Sequence, residues 1–276
     1  MQQSLYRQLA TAKSESVLFA KDLADWLLRR REALIPPRRL MYDGPQDVTL
    51  FKANGAEFLR YYTELCSLKP HESVLDVGSG MGRKTIPLTQ YLSPVGQYEG
   101  LDVNQSGVDW CRRQISSRFP NFRFQLIDVY SSRYNPNGRQ QAEAYTYPFA
   151  TNHFDFAVLA SVFTHMLPKG VERYLAETAR VLKARGGRCL ISYFLLNSAQ
   201  KPVSDTGMQT RLFPINQGLY CIKSEAQPED AVAFDETYIR QLYQTCGLEI
   251  VEIYYGAWRG QPPFLSYQDL ILARKA

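Results

Sequence analysis

The sequence predicts an α/β fold: a Rossmann-like, doubly wound sheet of seven strands, mostly parallel with the last strand antiparallel, preceded by an N-terminal helical cap. Three observations predict it. From Val74 onward, short apolar runs alternate with stretches of helical periodicity, the pattern of parallel strands joined by crossover helices. The first run ends in a glycine-rich turn, "VLDVGSGMGRK" over 74–84. The last two runs, "LEIVEIYY" and "YQDLILAR", are joined only by "GAWRGQPPFLS", so they form a hairpin and the final strand is reversed.

Residues 1 to about 35 read as helix, because Ala20, Leu23, Leu27 and Leu34 recur at helical spacing with charges between them; Pro36 and Pro37 stop it. A second helix is expected around 56–67. "SVLDV" is the first strand and "QYEGLDV" the second, followed by a helix over about 106–118; "FRFQLIDV" is the third strand and "FDFAVLAS" the fourth. Val171, Tyr174, Leu175, Thr178 and Leu182 mark an amphipathic helix that "RGG" ends, and "RCLISYFLL" is a fully apolar, buried fifth strand. Ile239, Leu242, Tyr243 and Cys246 mark the last helix, capped by Gly247. The chain thus divides into a helical cap or lid over 1–70 and a sheet domain over 71–276, with inserts at about 130–150 and 197–234.

With 276 residues, 45% hydrophobic and 21% charged, the chain is long enough for one large α/β domain with appendages. No run approaches the about 18 apolar residues of a membrane span, and no signal peptide opens the chain, so a cytoplasmic location is expected. The five cysteines are scattered singly and accompanied by three histidines, which suggests neither a zinc site nor a disulfide framework. The net charge of +5 is concentrated at the N-terminus, where residues 1–40 carry eight basic side chains against four acidic ones. The arginines of "RRREALIPPRRL" suit a solvated helix end that complements the helix dipole, ahead of a docking patch for phosphate-bearing partners. Nucleic acid is not required by this charge.

The glycine turn carries the chemistry. A dinucleotide site has G-x-G-x-x-G after its strand, with a pyrophosphate at the helix N-terminus. Here the glycines are Gly78, Gly80 and Gly82, the third dinucleotide position is Arg83, and Asp76 precedes them. An acid at the end of the first strand repels a pyrophosphate and suits a ligand with a sulfonium and an ammonium group. Asp102 ends the second strand, where a carboxylate accepts hydrogen bonds from the hydroxyls of an adenosine ribose. Asp128 ends the third, where a carboxylate can take a hydrogen bond from the adenine amino group, so three acids are expected around one crevice.

The blocks "VLDVGSGMGR", "YPFATNHFDFAVLASVFTHM" and "ETARVLKARGGRCLISYF", with Asp102 between them, resemble the motifs of class I S-adenosylmethionine-dependent methyltransferases, and most of all the small-molecule branch known as methyltransferase types 11 and 25. The resemblance covers about 72–195, and the terminal hairpin is similar to that family's reversed seventh strand. It implies S-adenosyl-L-methionine as cofactor, with Asp76, Gly78, Ser79 and Gly80 at the methionine moiety, Asp102 and Val103 at the ribose and adenine, Asp128 and Val129 at the adenine, and Ser161 beneath the sulfonium. Phe51 and Gly55 resemble a lid segment over the cofactor, although a packed helix start explains them more simply.

Absent motifs narrow the reaction. The Asn/Asp-Pro-Pro-aromatic motif of base amine methylation and the Pro-Cys nucleophile of cytosine C5 methylation are both replaced by "ASVFTHM", and no carboxylate lies between Asp155 and Glu172 to hold a metal at that place. Metal-independent transfer to a hydroxyl of a small molecule or a sugar or glycan unit is therefore expected. The alternatives are C-methylation of a quinone-like ring and a non-catalytic partner subunit that binds the cofactor without turnover. His165, four residues past Ser161, is either a general base or a packing group against the cofactor. Substrate recognition is assigned to the inserts, with Arg211, Phe213 and Tyr220 in the second, and to Trp258 and Arg259 in the hairpin loop. The partners expected are the small-molecule or glycan substrate and, as an open question, a second copy in a homodimer.

Overall fold

The computed structural model describes residues 16–42, 44–197, 212–260 and 262–276. Seven strands form one sheet in the order β10-β11-β5-β4-β1-β2-β3. They are β1 (Ser73–Val77), β2 (Gln97–Asp102), β3 (Phe122–Leu126), β4 (Phe156–Leu159), β5 (Arg188–Tyr193), β10 (Leu248–Tyr254) and β11 (Asp269–Lys275). β1 through β5 pair in parallel, and β11 is antiparallel to both β5 and β10, as the helix-free hairpin requires. The expected sheet is present in strand number, direction and sequence.

Both faces of the sheet are buried, so its central strands are apolar at successive positions. Alternate residues feed two cores. Leu75, Val77, Ala157, Leu159 and Ile191 join one, with α5 (Pro168–Val181) and α6 (Glu236–Thr245) packed on it. Val74, Phe156, Val158 and Leu190 join the other, covered by α2 (Val48–Arg60) and α4 (Gln105–Cys111). A short α3 (Leu88–Tyr91) follows the glycine turn.

The N-terminal elements differ from the periodicity. A helix α1 is described over 16–27 and stops well before Pro36; residues 1–15 of the expected helix lie outside the described residues. Arg29 adopts φ 52, while Arg30 N–H donates to Asp25 O at 2.8 Å and Arg29 N–H to Trp26 O at 3.1 Å. That is a left-handed helix stop made by an arginine rather than a glycine. α2 begins at Val48 rather than near 56, because Asp47 Oδ1 accepts from Leu50 N at 2.9 Å and caps it there.

The second insert forms a separate four-stranded sheet in the order β6-β9-β8-β7, from β6 (Leu195–Leu196), β7 (Ile215–Asn216), β8 (Tyr220–Ile222) and β9 (Val232–Asp235). It stands at the carboxyl end of β5, beside the ligand edge of the main sheet.

Candidate active site

A cavity of about 320 Å³ opens at the carboxyl ends of β1, β2, β3 and β4. Gly78, Gly80, Asp102, Val103, Val129, Ser161 and His165 all line it, so seven expected residues converge from four strand ends.

The glycine turn is shaped by close approach. Gly78 has φ +82, and a Cβ there would stand 2.5 Å from Val162 Cγ2, so the β4 loop crosses directly over the turn. Gly82 has φ +77, and a Cβ would meet Ile115 Cδ1 at 2.8 Å. The third glycine of G-x-G-x-G thus makes room for the stretch after α4. Asp102 is held by backbone on both oxygens, with Gly80 N–H donating to Oδ2 and Asn104 N–H to Oδ1, each at 2.7 Å. A carboxylate has about four acceptor sites, and this one forms part of the cavity lining.

The other two acids stand elsewhere. Asp76 is 2% exposed beneath the turn and accepts from Tyr98 Oη at 2.7 Å, with Thr85 Oγ1 behind that hydroxyl. Desolvation pushes its carboxyl up to about 6 against the opposing pull of the Tyr98 hydrogen bond and Lys84. Asp128 faces away from the cavity. Its neighbours Ile127 and Val129 point into the core and the cavity wall, and its own side chain accepts from Arg139 Nε at 2.5 Å, which holds the carboxyl below its ordinary range. The crevice expected to gather three carboxylates therefore has one of them, Asp102, in its lining. Ser79 packs against Gly100, where a Cβ would lie 3.0 Å from its Oγ, and does not line the cavity.

Ser161 has φ 63, its N–H donates to Ser192 Oγ at 2.7 Å, and its Oγ donates to Gln268 Oε1 at 3.0 Å. This network fixes the turn after β4 and the ring that follows. His165 Nδ1 lies 3.1 Å from the Glu229 carbonyl oxygen. A carbonyl can only accept, so in the neutral ring Nδ1 carries the proton and Nε2 is the basic nitrogen.

Tyr42 and Tyr134 also line the cavity and were not singled out in the sequence. The rings run in series, Tyr42 to Tyr134 at 6.0 Å and Tyr134 to His165 at 5.9 Å. Tyr134 comes from the first insert, which also supplies Tyr130, Ser131, Gln141, Ala142 and Glu143. The second insert contributes Glu229, whose Oε2 accepts from Ser132 N at 2.8 Å and Ser132 Oγ at 2.6 Å and so ties the two inserts together.

Trp258 and Arg259 are corrected by the structure. Trp258 is fully buried against Phe194 and Phe213, its Nε1 donates to Asp269 Oδ2 at 2.8 Å, and Arg259 Nε lies 3.0 Å from Asp269 Oδ1 with its side chain 4% exposed. Burial pushes the Asp269 carboxyl up, against the opposing pull of Arg259 and the hydrogen bonds from Gly256, Leu195 and Trp258; both residues serve the hairpin's attachment and neither lines the cavity. Phe213 and Tyr220 are likewise packing residues, on Trp258 and Phe234, and Arg211 lies outside the described residues. Phe51 and Gly55 seat α2 against the end of the glycine turn: Arg83 lies over the Phe51 ring at 5.0 Å, and a Cβ on Gly55 would meet Arg83 O at 2.5 Å.

Residues 75–191 match the family model described as "Methyltransferase domain". A ubiquinone/menaquinone biosynthesis C-methyltransferase of Ectopseudomonas mendocina is 29% identical over 135 residues, which is 49% of this chain and 46% of that one. A fatty-acid O-methyltransferase of Mycolicibacterium smegmatis is 33% identical over 129 residues, 46% of this chain and 37% of that one. The chain thus spans less than half the length of these relatives. The structure of a 1,6-didemethyltoxoflavin-N1-methyltransferase of Burkholderia thailandensis, with 1,6-didemethyltoxoflavin and S-adenosylhomocysteine bound, superposes with TM-score 0.53 at 19% identity, covering 84% of this chain and 82% of that one. The chain carries a class I methyltransferase domain of the S-adenosylmethionine-dependent kind. Its cavity fits that cofactor, because the charged lining residues are Asp102, Glu143 and Glu229, with no Lys or Arg among the described lining, and a sulfonium with an ammonium group is a cation.

Proposed function

We propose that this chain transfers a methyl group from S-adenosylmethionine to a hydroxyl of a small neutral acceptor, such as a phenol or a sugar unit, with His165 removing the proton. The observation that carries this reading is the His165 ring, set in the cavity wall by the Glu229 carbonyl at 3.1 Å with Nε2 as its basic nitrogen. The cofactor supplies an electrophilic methyl group. Asp102 accepts from the ribose hydroxyls, Gly78 and Gly80 let the backbone approach the methionine portion, and the buried Asp76 stands under that portion as a counter-charge. The aromatic and aliphatic lining from Tyr130, Tyr134, Met166, Leu167 and Tyr174 excludes water around the acceptor. In-line displacement needs the acceptor oxygen held against the methyl carbon, so alignment in this enclosed space contributes alongside the base.

The all-acidic charged lining disfavours carboxylate and phosphate acceptors, since a buried anion needs a cationic partner. A second reading, C-methylation of a quinone-like ring, is favoured by the matched C-methyltransferase. It uses the same proton removal, from a ring hydroxyl whose deprotonation makes the adjacent carbon nucleophilic. Incubation with ¹³C-methyl S-adenosylmethionine and a panel of neutral phenols, quinols and sugars tests both. An O-methyl carbon resonance supports the first reading and a C-methyl resonance the second. Binding of the cofactor with no release of S-adenosylhomocysteine on any acceptor would leave the non-catalytic partner subunit as the better account.

A further inference from the structure

The helix α1 is attached to the domain the wrong way round for a surface helix. Its acids face inward: Asp22, 5% exposed, accepts from Arg38 N at 2.8 Å and Arg39 N at 3.3 Å, and Asp25 Oδ2 lies 2.5 Å from Arg38 Nη1. Its apolar residues face water, with Phe19 53%, Leu23 43%, Trp26 62% and Leu27 64% exposed. These positions are spaced i, i+4, i+7 and i+8, which places them on one stripe. Leu28, in the turn after the helix, is 56% exposed, Arg29, Arg30 and Arg31 that follow it are exposed, and Lys21 is exposed on the helix away from the stripe. Asp25, Trp26, Leu27, Arg29 and Arg31 line the same shallow depression, so hydrocarbon is presented together with an excess of cation.

We propose that α1 and the arginines that follow it form a docking surface for an anionic lipid bilayer, with the helix lying in the interface. No helix among the described residues is long and apolar enough to cross a membrane. An interfacial helix needs less: one apolar face bearing Trp, Phe and Leu, with Lys and Arg alongside it. Charge decides between a lipid surface and a second copy of the chain. The helix's own acids are committed to Arg38, and Glu32 pairs with Lys52 at 2.7 Å. Lys21, Arg29, Arg30 and Arg31 outnumber the part-exposed Asp25 and the exposed Glu32, so pairing this face with itself brings an excess of cations together, whereas phosphate headgroups over acyl chains supply both complements. Arg38, which holds the helix, is four residues before Tyr42 in the cavity lining, at most about 14 Å of chain. A docked bilayer would thus stand near the cavity mouth. The inference does not draw on the methyl-transfer reading, and its test uses no turnover.

Trp26 is a built-in reporter, since the other two tryptophans, Trp110 and Trp258, are 6% and 0% exposed. The full chain is mixed with phosphatidylcholine vesicles with and without phosphatidylglycerol, and both tryptophan emission and co-sedimentation are followed. The anionic vesicles are expected to shift the emission to the blue and to carry the protein down. Trp26→Phe should lose the shift while still sedimenting. The triple substitution Arg29→Gln, Arg30→Gln, Arg31→Gln should weaken partitioning about 100-fold, from about fivefold per basic side chain, with the circular dichroism spectrum unchanged. Failure to bind anionic vesicles overturns the proposal. So does a lipid-free homodimer, or a lipid-free monomer, in which Trp26 emission is already that of a buried indole, since another part of the protein then covers this face.

Discussion

The carboxylates on either side of the glycine turn are held by opposite means. Asp102 receives two backbone N–H groups at 2.7 Å and lines the cavity; loss of its side chain is expected to weaken S-adenosylmethionine binding by about 1–3 kcal/mol, the scale of charge-assisted hydrogen bonds. Equal calorimetric affinity for Asp102→Ala and wild type would remove it from the site. Asp76 is buried with one hydroxyl partner, and desolvation raises its carboxyl to about 6 from an ordinary 3.8. A raised acid binds its proton more tightly when folded, so its stabilising contribution is complete below about pH 4 and is lost as the pH rises through about 6. The loss is on the order of 3 kcal/mol. Asp76→Asn should therefore be more stable than wild type at pH 8 in urea denaturation and should lack the wild-type decline between pH 4 and 7, while binding the cofactor more weakly. An unchanged decline would show that another group titrates there.

The sheet was legible in the sequence because each central strand is a short apolar run buried on both faces, and the hairpin because nothing helical separates its strands. The turn glycines and Asp102 were legible because their spacing is fixed by backbone geometry at one strand end. Three other features rest on a backbone conformation or a side-chain pairing that leaves no periodicity or motif. α1 stops at an arginine that adopts a left-handed conformation, Trp258 is drawn inward by the buried Asp269, and Asp128 is turned outward by Arg139. Tyr42 carried no signal, since a lone tyrosine before a turn has no period and no motif. The small sheet β6-β9-β8-β7 was also missed, because its strands are two to four residues long, too short for alternation to show. Its link to the site is Glu229, which ties down Ser132 in the first insert. Glu229→Ala leaves the backbone carbonyl facing His165 but releases that loop. The Michaelis constant for the acceptor should rise about fivefold, as expected for about 1 kcal/mol, with cofactor affinity unchanged; a fall in cofactor affinity instead would place the tie in cofactor binding.

At the scale of the molecule, the sheet separates two apolar layers, and the N-terminal segment joins only one of them, through Ile35, Met41 and Phe51. α1 itself is held by the Asp22 and Asp25 contacts to the Arg38 segment. Removal of residues 1–35 is therefore expected to leave a folded domain with a cooperative thermal transition at lower temperature, and an unfolded circular dichroism spectrum would show the cap to be integral. Asp102 and the His165 ring line the same cavity, and we propose that the first serves the cofactor and the second the acceptor. The central claim is that the imidazole takes the acceptor's proton. The most direct measurement is the single-turnover rate of S-adenosylhomocysteine formation, at saturating cofactor and acceptor, for wild type and His165→Ala across pH. The account predicts a rate lower by about 10² to 10⁴-fold in the variant, loss of the acidic limb of the profile, and unchanged cofactor affinity. A variant that keeps the wild-type rate at saturation while binding the cofactor more weakly would contradict it and make His165 a packing residue.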